Sequence, residues 1–231
     1  VKAISSPVPG KATVEYLHKG ETKIIEADLV LKAVGRVPNT EGLGLENTSI
    51  ETGKQGAITV NQKLETNVKH IYAIGDVTNK MQLAHVASHQ ALIACENILG
   101  GSADMDYDHV PSVIFTHPEI ATVGKSEAEL TSSGVEYKVI KTPFSANGKA
   151  MIMDDGQGFI KMLSDANSGQ ILGASVFGGE AEHLIAPLTI AIKNNLGAEK
   201  IKDTIFAHPT TAELVHEAYL GLLKEAIHYL D

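Results

Sequence analysis

The chain has 231 residues, 43% of them hydrophobic, and a formal charge of -9. That is enough apolar material for one large or two modest cores, and the acidic balance with no basic block argues against nucleic acid or an anionic membrane as a main partner. The longest uncharged apolar run of the C-terminal half, residues 184–192, is too short to span a bilayer and contains Pro187; a single cysteine excludes an intrachain disulfide framework, and with no charged-then-apolar leader the expected setting is reducing and cytoplasmic.

Val1-Lys2-Ala3-Ile4 reads as a strand already under way with no Met ahead of it, so the chain is expected to be a fragment. Residues 12–18 alternate apolar and polar, Lys19-Gly20 turns the chain, and residues 22–34 return through Ile24-Ile25 and Leu29-Val30-Leu31, a hairpin or meander. Residues 57–60 predict a short strand. Residues 71–74 form an apolar run bounded by turn residues, the pattern of a strand buried on both faces of an α/β sheet, with Asp76 at its carboxyl end after Gly75. An aspartate there either accepts hydrogen bonds from a ligand's hydroxyls or serves as an Asx-turn or helix cap. Leu83, Val86, Ala87, Ile93, Ala94 and Ile98 have helical spacing, and Gly100-Gly101 is the stop. The start of that helix, at Gln82-Leu83-Ala84, offers unpaired N–H groups and a positive dipole end beside the same crevice. Cys95 on this helix is expected to pack as a small hydrophobe. His85 and His89 are four apart, but Val86 stands where a zinc protease needs Glu and no third ligand is near, so packing or supporting polar roles are expected.

Residues 100–104 are small and polar, as at a domain boundary. Beyond them residues 113–115 predict a strand, Thr116-His117-Pro118-Glu119 a turn, and Ser126 with Glu129 a capping box opening a helix that stops at Gly134. Residues 137–140 predict a strand, 158–163 and 171–177 a hairpin across Asn167-Ser168-Gly169, 181–195 a helix backed by Gly197, and 212–223 a last apolar helix. Hairpin-paired strands with helices between them predict a mainly antiparallel α+β domain. The stripes Leu184, Leu188, Ile192 and Leu214, Ala218, Leu222 are expected to supply both its core and a dimer interface.

His208-Pro209-Thr210-Thr211-Ala212-Glu213 precedes the last helix. Pro209 keeps His208 out of the helical region, so the imidazole sits on a turn and the carboxylate of Glu213 can fold back to it. A carboxylate beside an imidazole fixes its tautomer and leaves the other nitrogen free for a substrate proton, which describes a general base with its orienter. These six residues alone favour the other reading, a surface histidine before a helix capped by Thr210 or Thr211, with Glu213 complementing the dipole.

Six motifs in order settle the comparison: Val34-Gly35-Arg36-Val37-Pro38-Asn39, Tyr72-Ala73-Ile74-Gly75-Asp76, Gln82-Leu83-Ala84-His85, Thr116-His117-Pro118-Glu119 with Val123-Gly124, Ala146-Asn147-Gly148-Lys149-Ala150, and His208-Pro209-Thr210 with Glu213. Across nearly all its length the chain resembles the C-terminal part of the flavin-dependent pyridine nucleotide-disulfide oxidoreductases, and within them the branch that oxidises dihydrolipoamide. The resemblance implies a fold of α/β nucleotide-binding remnants, residues 1–34 from an NAD-binding domain and 35–105 from an FAD-binding domain, followed by an antiparallel interface domain at 106–231.

It further implies that Asp76 binds the ribityl chain of FAD, that the backbone at Leu83, Ala84 and His85 faces the flavin pyrimidine, and that Gly35 lies near NAD. His208 is then the base serving the dithiol and the redox cysteines, oriented by Glu213 and acting on the flavin and disulfide of a second subunit in a homodimer. The implied partners are the lipoyl-bearing subunits of a 2-oxo acid dehydrogenase or glycine cleavage complex. The family's redox disulfide and its GxGxxG loops do not occur here, so the chain alone is expected to be inactive, a dimerisation module without turnover. Two departures bear on substrate: Ser88-His89-Gln90-Ala91 replaces a Glu-Gly pair, and Gly148-Lys149 stands where Ser-Arg is commoner. Glutathione reductases share the His-Pro-Thr and Glu pattern but usually carry Thr-Pro-type residues in place of Leu83-Ala84-His85.

Overall fold

A computed structural model describes residues 1–229, apart from the Pro7 side chain. The chain is mixed α/β with two antiparallel sheets. Strands β1 (Ala3–Val8), β2 (Lys11–His18) and β3 (Glu21–Ala27) form the expected meander, joined by a tight turn at Lys19-Gly20, where both residues have positive φ. Its apolar side chains Ile4, Val8, Leu17, Ile24 and Ile25 are all more than half exposed, so the sheet holds by its ladder and not by a core beneath it.

The return strand stops at Ala27 instead of running on to Val34. Residues 28–44 contain no helix or strand, and Leu29 and Leu31 are each 85% exposed. An apolar run becomes a strand only when a neighbour takes its N–H and C=O groups, and among the described residues none does. The strands expected at 57–60 and 71–74 are likewise absent. Each region has a single isolated bridge, Thr52 to Ile58 and Glu65 to Tyr72, and Ile71 and Ile74 are 39% and 38% exposed, so this is not a strand buried on both faces.

Those segments fold instead around a small core of Ile58, Val60, Leu64, Ala73, Val86, Ala94 and Met105. Ile58 N–H donates to Val77 C=O (2.8 Å) and Ala73 N–H to Leu64 C=O (3.1 Å), so single backbone bonds do what a ladder would otherwise do. The helix α1 (Ala84–Ile98) closes this core with Val86, Gln90 and Ala94, spaced four apart on one face. Cys95 lies off that stripe and is exposed, which corrects its expected burial.

The second sheet has the order β4-β5-β8-β7-β6, all antiparallel: β4 (Ser112–Ile114), β5 (Glu119–Gly124), β6 (Tyr137–Pro143), β7 (Phe159–Asp165) and β8 (Ile171–Gly178). The expected turn at 116–119 leads straight into β5. The β7–β8 hairpin closes as expected, Asp165 accepting from the N–H groups of Asn167 and Ser168. Helix α2 (Glu127–Ser132) carries the expected capping box between Ser126 and Glu129, and α3 (Gly148–Ile152) is capped by Asn147.

Helix α4 (Ala181–Lys193) packs on β5 and β8, and, after the short α5 (Ala198–Ile201), α6 (Glu213–Leu222) packs on β6 and β7. Gly221 permits the close approach of α6: a Cβ there would come within 2.7 Å of Ile140. Leu184, Leu188 and Ile192 are at most 5% exposed, and Leu214, Ala218 and Leu222 at most 8%. Both stripes belong to this domain's own core, a correction to the expectation that they also serve an interface. Among the described residues no helix is long and apolar enough to cross a membrane.

Candidate active site

The His208-Pro209 segment reaches its place because the loop before α6 is fixed at both ends. His216 on α6 bonds the C=O of Lys202 through Nε2 (2.8 Å), and its ring stacks on Phe206 with centroids 4.8 Å apart. On the far side Asn147, buried at the start of α3, donates from Nδ2 to the C=O of Thr210 (3.1 Å) while its Oδ1 accepts from Ala150 N–H. Thr211 donates its hydroxyl to Glu180 (2.6 Å) and Thr210 to the C=O of Ala207 (2.7 Å). Neither threonine caps α6; the residue before the helix is Ala212, which makes no side-chain cap.

The structure brings His208 and Glu213 together. His208 Nδ1 lies 2.9 Å from Oε1 and 3.2 Å from Oε2 of Glu213, and Thr210 N–H donates to Oε2 (2.8 Å). The Thr210 donor first, and His208 after it, hold the Glu213 carboxyl below its ordinary range, so it is ionised at neutral pH. An ionised carboxylate can only accept, so Nδ1 carries the proton and Nε2 is the free nitrogen. The His208 side chain is 78% exposed and that of Glu213 29%, which leaves the imidazole open to a reactant while the carboxylate is sheltered.

Next to the pair is a cavity of about 330 Å3, lined among others by Ser145, Asn147, Met151, Glu217 and His228. No residue before Ser145 contributes to it. Sequence reasoning missed Glu217 and His228. Glu217 is 5% exposed, and its Oε1 accepts from the N–H groups of Ile227 (2.7 Å), His228 (2.6 Å) and Tyr229 (3.1 Å), folding that segment along the cavity. A glutamate inside a helix whose partners lie ten residues on leaves no local signal; Asn147 was visible as part of a motif, but not its bond to Thr210.

Asp76 lies in a turn packed on α1, and Leu83, Ala84 and His85 lie at the start of that helix. The turn is a single 3-10 turn (Gly75–Thr78), with Arg36 3.5 Å from the Asp76 carboxylate. Leu83 precedes α1 in extended conformation with no side-chain cap, so the first N–H groups of the helix, at Ala84 and His85, stay available to a ligand. Gln82 Nε2 beside them is buried without a partner. A part-exposed carboxylate, uncapped helix donors and an orphaned amide donor fit the hydroxyls and ring carbonyls of a flavin. The His85 imidazole is engaged elsewhere, through Nε2 to the C=O of Pro111 (2.9 Å). His85 and His89 both line a cavity of about 460 Å3 with His109 and Lys193; among the described residues no three side chains form a metal cluster. Gly35, at φ 136, has nothing within 4 Å of where a Cβ would lie, so the described residues build no nucleotide cradle there.

Known proteins resemble most of this chain. Residues 2–91 match the family description pyridine nucleotide-disulphide oxidoreductase, and residues 110–219 its dimerisation domain. A dihydrolipoyl dehydrogenase of Chlamydia muridarum is 46% identical over 89% of this chain and 44% of its own length. One of Bacillus subtilis is 41% identical over 95% of this chain and 47% of its own. Among solved structures, LpdA of Mycobacterium tuberculosis superposes with a TM-score of 0.86 at 30% identity, over 96% of this chain and 48% of that one. The HOCl-induced flavoprotein disulfide reductase RclA of Escherichia coli superposes at 0.79 and 27% identity, over 91% and 48%. The chain thus spans about half the length of the curated relatives it matches. With two matches that cover residues 2–91 and 110–219 and relatives above 40% identity, the chain belongs to the pyridine nucleotide-disulphide oxidoreductase family.

Proposed function

We propose that this chain is the C-terminal part of a dihydrolipoamide dehydrogenase, a flavoprotein that reoxidises protein-bound dihydrolipoamide and passes the electrons through FAD to NAD. The observation that carries the reading is the His208–Glu213 pair, an imidazole with its Nδ1 held at 2.9 Å by an ionised carboxylate and its Nε2 free beside an open cavity. A dithiol is a weak nucleophile until it loses a proton, and thiols near pKa 8.5 need a base of imidazole strength at neutral pH. His208 takes that proton, and Glu213 holds the ring. Asp76 and the backbone at Leu83, Ala84 and His85, with the unpaired N–H groups of Ala84 and His85, contribute to FAD binding, the flavin supplying the two-electron chemistry; Gly35 lies towards NAD.

We further assign residues 1–34 to an NAD-binding domain, 35–105 to an FAD-binding domain and 106–231 to the interface domain of a homodimer. The exposed side chains of Leu29, Leu31 and Val34 support this, being apolar surface that a larger nucleotide domain covers. Lipoyl-bearing subunits of a 2-oxo acid dehydrogenase or glycine cleavage complex are the proposed partners, and the cytoplasm the proposed setting. The chain by itself is expected to show no turnover, since it has one cysteine and no Gly-rich pyrophosphate loop. The test is to express the full-length parent and compare substrates: a flavin spectrum with NAD-dependent oxidation of dihydrolipoamide supports the reading. Preference for glutathione disulfide assigns the parent to the glutathione reductases instead.

A further inference from the structure

Gln90 is completely buried, yet both polar atoms of its amide have a partner. Its Oε1 accepts from Gly75 N–H at 2.6 Å, and its Nε2 donates to the Tyr107 hydroxyl at 2.8 Å. We infer that Gln90 is a positioning residue for flavin binding, fixing the Gly75–Thr78 turn, and with it Asp76, against α1. This rests on the reading of Asp76 as a ribityl ligand.

The turn is held from three sides. Gln90 takes the Gly75 N–H, the Thr78 hydroxyl donates to the Gly75 C=O (2.9 Å), and Gly75 sits against α1 so closely that a Cβ would lie 3.3 Å from that of Ala87. Gly75 has φ +73, so its own conformation is the permissive one, and the outside contacts select the orientation of the next residue. Of these contacts only the amide of Gln90 also reaches the 105–110 segment, through Tyr107, whose ring packs on the same core as Met105 and Val110. Asp76 is therefore placed relative to both α1 and the chain leading into the second domain. The residue type matters: an amide accepts from Gly75 and donates to Tyr107 together, whereas a carboxylate must accept from both. Either keeps the Gly75 N–H satisfied; an apolar side chain leaves it buried without an acceptor.

The experiment uses the full-length parent stripped of flavin, titrated with FAD by quenching of flavin fluorescence. Apoprotein melting is followed by circular dichroism in parallel. Gln90→Leu is expected to raise the Kd for FAD by about 10- to 100-fold, the range for one unsatisfied buried donor. Gln90→Met, of similar length and unbranched, carries the same expectation should the leucine variant not fold. Gln90→Glu is expected to restore the Kd to within about threefold of the unaltered protein, because it gives Gly75 an acceptor again. If the folded Leu and Met variants bind FAD as the unaltered protein does, and only apoprotein melting falls, Gln90 is a core residue and the inference is overturned. An unaltered parent that takes no FAD overturns the flavin reading itself, a separate result from a parent that binds FAD and is indifferent to Gln90.

Discussion

Glu213 accepts from a backbone N–H and from an imidazole at once, so it both starts α6 and orients His208. Glu213→Gln keeps an acceptor for Thr210 and removes the charge, so in the parent it is expected to cost about 10- to 100-fold in dithiol turnover, less than loss of the base. The pH dependence has a definite sign. Because the folded carboxyl titrates below its ordinary range, its contribution is complete above the unfolded value near ~4.3 and is lost as pH falls through the lowered one. The stability gap between the unaltered parent and Glu213→Gln is therefore expected to stay constant at neutral pH and to close only in acid below the usual carboxylate range, which paired unfolding curves at several pH values measure. Asn147 is the second residue-scale test. Asn147→Ala removes the donor to Thr210 and the cap of α3, and is expected to cost about 1–3 kcal/mol in urea unfolding of this chain, with a looser His208 loop. An unchanged midpoint means the loop is held by other contacts.

Among the elements, α4 and α6 owe their stability to burial on the sheet. Leu188, fully buried between α4, β5 and β8, is expected to cost about 2–5 kcal/mol as Leu188→Ala, read from the shift in denaturation midpoint. At the start of α4, Glu119 and Glu182 face each other, and their contact raises the Glu119 carboxyl above its ordinary range, burial adding to it. A carboxyl raised on folding holds its proton longer in the native state, so stability falls as pH rises through that raised value. Glu182→Gln is thus expected to raise Tm by a few degrees at pH 7 and to change it little near pH 4; a pH-independent effect argues against a shared proton. The elements that sequence made legible are those with their own punctuation: the Ser126–Glu129 box, the 167–169 turn, and the helix between Leu83 and Gly100. Residues 29–31, 57–60 and 71–74 read as strands because their side chains are apolar, but a strand is decided by its neighbour's backbone, and period alone does not report that neighbour. For the same reason His208 with Glu213 was legible at five residues' separation, while Asn147 with Thr210, 63 residues apart, and Gln90 with Gly75 were not.

On the scale of the molecule, the spent helix stripes move any dimer contact to other surfaces. Ile114 and Phe115, at the end of β4, are 55% and 77% exposed, and Ile190 on the outer face of α4 is 61% exposed. These side chains stand outside the core and within the region matching the dimerisation domain. Sedimentation at micromolar concentration is expected to show this chain as a homodimer and Phe115→Asp as a weaker one; a strict monomer leaves the exposed residues to another partner. His208, oriented by Glu213, is proposed as the base that takes a proton from the dithiol whose electrons the parent accepts. The most direct measurement of that role is anaerobic stopped-flow reduction of the flavin by dihydrolipoamide in the full-length parent carrying His208→Gln. Flavin content and spectrum are expected to be unchanged and the reduction rate lower by about 100- to 10,000-fold; reduction at the rate of the unaltered parent would contradict the account.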